Sequence, residues 1–167
     1  MTGDERFVVG VDGSAASNHA LRWALREASA RGASVIALMV WQSHAVMAGP
    51  APLTMNPRLA PHHVREQHRR ELTRIVDECA KGRRLPQLRV ELREGHPADV
   101  LSERSASASM LVLGEQGHNR VAEAVLGSTA LRCIHIARCP VLIVPAGVDV
   151  ESAIEDPVNR GSDPVLG

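Results

Sequence analysis

Apolar residues in this chain follow two patterns that alternate from the N-terminus onward. Short, nearly unbroken apolar runs at residues 7–11, 34–41, 110–113 and 141–144 predict strands, the first two of them covered on both faces. Between them, apolar positions recur every three or four residues, as on one face of a helix. Ala20, Leu21, Ala24, Leu25 and Ala28 mark the first such stripe, which Gly32 ends. Val64, His68, Leu72, Ile75, Val76 and Cys79 mark a second, from near Pro61 to about Lys81, with Gly82 as its stop. Pro97 suits the first position of a third helix, with Asp99 in its first turn and Val100, Leu101 and Arg104 spaced helically. A fourth helix is predicted over residues 127–138. Residues 88–93 differ: Leu88, Val90 and Leu92 alternate with Arg89, Glu91 and Arg93, which predicts a half-exposed strand nearer a sheet edge.

Strands alternating with helices imply parallel βαβ units with right-handed crossovers. Open sheets of this kind bind ligands beyond the carboxyl ends of the strands, where the strand order reverses. A loop rich in proline (Pro50, Pro52, Pro57, Pro61) separates the second strand from the second helix. The last stretch, residues 147–167, carries prolines, acids and few apolar residues and is expected to be poorly ordered.

Two glycine clusters carry the chemistry. Gly114-Glu115-Gln116-Gly117 follows the strand at 110–113, and Gly127-Ser128-Thr129 opens the last helix. Main-chain N–H groups come close to an anion where no side chain intervenes, and a helix N-terminus adds partial positive charge. The pattern is not a P-loop, whose lysine reaches the outer phosphates, since the one lysine here is Lys81. The G-x-G-x-x-G spacing of dinucleotide sites is absent as well. Taken singly, Gly114 and Gly117 suit ordinary turns, Ser128 and Thr129 suit a helix cap, and Asp12 in Asp12-Gly13-Ser14 suits an Asx-turn.

Together the glycines have the spacing G-x2-G-x9-G-[S/T], which resembles the nucleotide-binding signature of the universal stress protein family. Arg6-Phe7-Val8-Val9-Gly10-Val11-Asp12-Gly13-Ser14 is similar to the family's opening strand and acidic turn, and Cys139-Pro140-Val141-Leu142-Ile143-Val144-Pro145 to its closing strand. The resemblance covers residues 6–146 and implies one domain over 1–146, with a tail over 147–167. It implies an α/β, Rossmann-like fold of the adenine-nucleotide α-hydrolase type: a five-stranded parallel open sheet, order 3-2-1-4-5, with helices on both faces. The implied ligand is ATP, with magnesium as a companion and cyclic AMP left open. By the same resemblance Asp12 accepts hydrogen bonds from ribose hydroxyls, Gly10 and Val11 line the base pocket, and Val40 contacts the adenine. Gly114, Gly117, Gly127, Ser128 and Thr129 would hold the phosphates. His118 and Arg120 lie in the glycine loop, where Arg120 is the natural source of counter-charge. Glu115 departs from the family pattern, and a carboxylate facing phosphates would repel them. The resemblance also implies a homodimer paired through the fifth strand.

Composition limits the alternatives. Nineteen basic side chains balance nineteen acidic ones, so no global field favours nucleic acid or a membrane surface. One phenylalanine and no tyrosine argue against base-stacking platforms and leave the core to aliphatic side chains. The apolar run at 35–41 is far too short to span a bilayer, and the polar start Met1-Thr2-Gly3-Asp4-Glu5-Arg6 is unlike a secretory signal. Cys79, Cys133 and Cys139 lack C-x-x-C spacing and read as reduced thiols, two of them near the last helix as small buried groups. These features point to the cytoplasm. His62, His63 and His68 do not share a helix face, so no metal site is expected, and no catalytic constellation is evident. The expected function is that of an ATP-binding stress-response regulatory protein. The rival readings are a nucleotide-free dimeric interaction module and a weak ATP-hydrolysing enzyme.

Overall fold

A computed structural model describes residues 5–42, 61–82, 87–116 and 126–148. The elements in chain order are β1 (Arg6–Gly10), α1 (Ala15–Arg31), β2 (Ser34–Trp41), α2 (Pro61–Ala80), β3 (Gln87–Glu94), α3 (Pro97–Ser105), β4 (Met110–Gly114), α4 (Ser128–Ile136) and β5 (Val141–Val144). The strands form one sheet in the order β3-β2-β1-β4-β5, and every pairing is parallel. This is the expected doubly wound α/β topology, with the acidic turn following β1, Gly114 closing β4 and Gly127 preceding α4.

In β1, β2 and β4 the unbroken apolar runs are explained by burial on both faces. In β1, Phe7, Val8 and Val9 are all 0% exposed. Phe7 and Val9 join the core under α1 and α2, with Leu21, Leu25, Leu72 and Ile75. Val8 faces the other way, into a second core with Ile36, Leu38, Leu101, Leu111 and Cys133 under α3 and α4. Helix α1 begins at Ser14, whose hydroxyl accepts the Ser17 N–H at 3.1 Å. It ends at Gly32, whose left-handed backbone (φ 70°) suits glycine. The sequence stripe starts only at Ala20, because the first turn of α1 is set by this cap rather than by apolar spacing.

Edge strand β3 departs from its expected alternation. Leu88 and Leu92 pack against the α1–α2 core, but Val90 is 44% exposed. With a strand neighbour on one side only, β3 has less cover than the central strands. On its opposite face Glu91 forms a two-pronged pair with Arg104 of α3, at 2.6 and 2.9 Å. The Arg104 hydrogen bonds hold the Glu91 carboxyl below its ordinary range, against the opposing effect of partial burial.

Helices α3 and α4 are fastened to each other by polar contacts. Ser102 Oγ donates to the Ile136 carbonyl at 2.6 Å, Ser105 Oγ accepts the Arg138 N–H at 2.8 Å, and Arg132 meets Asp99 at 2.8 Å. At the sheet centre the end of β4 presses on the start of α1. A β carbon added to Gly114 would lie 2.6 Å from the Ala16 carbonyl carbon, 2.7 Å from its oxygen and 2.9 Å from the Ser17 nitrogen. At Gly10 the corresponding clash, 2.6 Å, is with the tip of the Leu113 side chain.

Two predictions follow from this packing. Gly114→Ala meets main chain that cannot swing aside, and should cost roughly 1–3 kcal/mol in chemical denaturation, as overpacking does. Gly10→Ala should cost less, because a leucine side chain can turn. The Glu91–Arg104 pair has a definite pH dependence. Its carboxyl titrates lower when folded than when unfolded, so its stabilisation is present above the unfolded value and is lost as pH falls through the folded one. Glu91→Gln should therefore cost about 1 kcal/mol at neutral pH, and urea melts of the two proteins should converge in acid.

Candidate functional site

The chain leaves β1 toward β2 on one side and returns to β4 on the other, so the strand order reverses between β1 and β4. A cavity of about 220 Å³ opens beyond the carboxyl ends of these strands. Gly10, Val11, Asp12, Val40, Gly114, Gly127, Ser128 and Thr129 all line it. Residues from four separate stretches of chain thus meet in one crevice. Gly117, His118 and Arg120 fall outside the described residues.

Each wall has its own chemistry. Leu38, Val40, Leu101 and Leu113 make an apolar floor, suited to a flat ring. The turn after β1 supplies Asp12, which is exposed; its Oδ1 accepts the Ser14 N–H at 2.9 Å in the Asx-turn read from the sequence. The first turn of α4 forms the third wall. Gly127 is its N-cap and has no side chain to offer the helix, so Ser128 and Thr129 are the first helical residues rather than caps. Their main-chain N–H groups belong to the turn that has no intrahelical acceptors, and they stand at the positive end of the helix. Such a helix start can receive an anion.

The glycine loop is tied at its neck, where the Gly127 N–H donates to the Glu115 carbonyl at 2.8 Å. Glu115 itself does not line the cavity; its neighbour Gln116 does. Among the described lining residues Asp12 is the one ionisable side chain.

Sequence reading missed Ser17, Leu38, Pro97, Leu101, Leu113, Gln116 and Ala130 as lining residues. Pro97 carried a usable signal. It opens the helix after β3, so it must lie at the same edge of a parallel sheet as Asp12 and Gly114. Ser17 carried none, being one polar residue in a helix face.

The thiols lie away from this chemistry. Cys79, Cys133 and Cys139 form no disulfide, and the first two are buried. Burial, with a smaller contribution from Asp99, pushes the Cys133 thiol up to about 11, and its Sγ donates to the Ala98 carbonyl at 3.8 Å. The three histidines of α2 do not converge: His62 and His63 have ring centroids 4.1 Å apart, while His68 lies 6.1 Å from the Trp41 ring. No helix among the described residues is long and apolar enough to cross a membrane.

Comparison with known proteins agrees with the geometry. The model of the universal stress protein family matches residues 5–145. A universal stress protein of Mycolicibacterium smegmatis is 35% identical over 158 residues, covering 94% of this chain and 53% of the relative. The chain spans about half the length of the curated relatives it matches. Among solved structures, a universal stress protein in complex with cAMP aligns with TM-score 0.63 at 24% identity, over 85% of this chain and 97% of that one. One from Archaeoglobus fulgidus in complex with dAMP aligns with TM-score 0.59 at 20% identity, over 86% and 98%. Fold, strand order and sequence relatives lead to one conclusion: this chain belongs to the universal stress protein family.

Proposed function

We propose that this chain binds an adenine nucleotide, ATP foremost, in the crevice between β1 and β4, and works as a nucleotide-responsive regulatory module of the stress response. The observation that carries the reading is the convergence of the acidic turn, the end of β4 and the first turn of α4 on one cavity. In this reading the adenine lies on the apolar floor beside Val40, near Gly10 and Val11. Asp12 accepts the ribose hydroxyls. The phosphates take the N–H groups at Ser128 and Thr129, beside Gly127, and the loop holding Gly117, His118 and Arg120, with Arg120 and a magnesium ion as counter-charge. Relatives solved with cAMP and dAMP support an adenine nucleotide as the ligand class. A second reading, a nucleotide with a single phosphate such as cyclic AMP, is favoured by the described lining, which holds a carboxylate and no cationic side chain.

We also propose that two copies pair through β5. The sheet has two free edges. β3 carries Arg89, Glu91, Arg93 and Glu94 along its length, while β5 is Val-Leu-Ile-Val, with its first three residues partly exposed. Charged edges resist pairing and apolar ones invite it, and an isologous dimer satisfies both copies at once. Pro140 and Pro145 limit the pairing to a short segment.

Nucleotide binding is tested by mass spectrometry of whatever is released when freshly purified protein is denatured, followed by titration of ATP and cyclic AMP. Ser128→Asp separates binding from folding. A carboxylate in the first turn of α4 favours the helix by ~0.3–1 kcal/mol but repels a phosphate. The melting temperature should hold or rise while ATP affinity falls at least about tenfold; unchanged affinity would remove the phosphates from this helix end. For assembly, Leu142→Asp should shift the protein from dimer to monomer in light scattering with helix content largely kept. A monomeric unmodified protein at micromolar concentration would refute the dimer.

A further inference from the structure

We infer that Ser17 is a positioning residue for the sugar subsite: its buried hydroxyl sets the Asp12 turn and with it the preference of the cavity for a ribose bearing both hydroxyls. This rests on the adenine-nucleotide reading above and adds to it the origin of sugar selectivity.

Three residues form a closed set of hydrogen bonds. The Ser14 N–H donates to Asp12 Oδ1 at 2.9 Å. The Ser17 N–H donates to Ser14 Oγ at 3.1 Å, which completes the helix cap. Ser17 Oγ then donates to the Ser14 carbonyl at 3.1 Å and accepts the Asp12 N–H at 3.3 Å. The cap needs the Ser14 hydroxyl and the Ser17 main chain, and makes no use of the Ser17 hydroxyl. Yet that hydroxyl lies in a residue only 5% exposed, on the cavity wall. A buried hydroxyl costs free energy unless bonded, and here both its donor and acceptor capacities serve the turn that carries Asp12.

The position of Asp12 along the chain gives this bond its weight. The Val11 N–H still donates to the sheet, to the Leu38 carbonyl at 2.9 Å. The Asp12 N–H is the first past that ladder, and Ser17 receives it. Ser17 is itself held in place, because its main chain rests against Gly114 at the end of β4. The carboxylate is thereby registered against both strands that flank the crevice. Among the described residues only Oδ1 of Asp12 is engaged, which leaves Oδ2 to accept from a ligand hydroxyl.

The test titrates ATP and 2′,3′-dideoxy-ATP by calorimetry into the unmodified protein and into Asp12→Ala, Ser17→Ala and Ser14→Ala. The unmodified protein should prefer ATP by on the order of tenfold or more, as hydrogen bonds to a charged acceptor allow. Asp12→Ala should abolish that preference. Ser17→Ala should cut it severalfold while binding the dideoxy nucleotide as before. Ser14→Ala, which loses the cap but keeps the main-chain groups around Asp12, should melt earlier and keep the preference. A Ser17→Ala protein with unchanged preference, or with equal losses for both nucleotides, overturns the inference and leaves nucleotide binding standing. Failure of the unmodified protein to bind either nucleotide overturns the nucleotide reading itself, and the inference with it. If Ser17→Ala does not fold, Ser17→Cys, with its weak donor and acceptor, serves instead: reduced preference supports the inference and full preference overturns it.

Discussion

The constraint on which the rest depends is the contact between the end of β4 and the start of α1. Parallel pairing of Phe7 with Met110, Val8 with Leu111 and Val9 with Val112 sets β1 and β4 side by side at the middle of the sheet. Gly114 then lets the main chain of β4 run against Ala16 and Ser17 with no side chain between them. Were that gap wider, the Asp12 turn and the first turn of α4 would no longer share a crevice. The glycine read from the sequence as part of a phosphate cradle thus has a packing duty that stands whether or not a ligand is present.

Support for the crevice comes from both sides of the sheet. On one side α1 and α2 close an aliphatic core over Phe7, Val9 and Val112. On the other, α3 and α4 cover Val8, Ile36 and Leu111, and the serines of α3 hold the chain as it leaves α4. With so few aromatic rings available, the interior relies on many branched aliphatic side chains of similar size, which interdigitate across the strands. Helix α4 is pinned near its C-terminal end by these contacts, while its first turn stays open toward the cavity.

Much of this was legible in the chain. The bounds of β2 coincide with those of its apolar run, since a strand buried on both faces admits few polar residues, and those of edge strand β5 coincide with the run that Pro140 and Pro145 bracket. Strand order and the sharing of one edge by Asp12, Gly114 and Gly127 followed from βαβ alternation and the family resemblance. Elsewhere local pattern was overridden. Val90 belongs to the inward set by alternation, but an edge strand lacks the cover to bury it. Ser128 and Thr129 have cap chemistry, yet Gly127 takes the cap position and leaves them within the first turn. Leu101 and Ser17 reach the cavity from helices whose sequence shows only an ordinary apolar stripe and polar face. Their role depends on where the helices cross, which is a property of the assembled layers.

The bond between the Gly127 N–H and the Glu115 carbonyl has a consequence for how such a site can change over evolutionary time. It staples together the two points where the glycine loop departs from β4 and rejoins at α4, so the framework meets itself without relying on what lies between. Closing a loop of flexible chain grows costlier only slowly with its length. A change of sequence or length between Gln116 and Gly127 can therefore be absorbed while strand and helix keep their places. The staple lets this stretch of sequence drift on its own, decoupled from the inheritance of the fold.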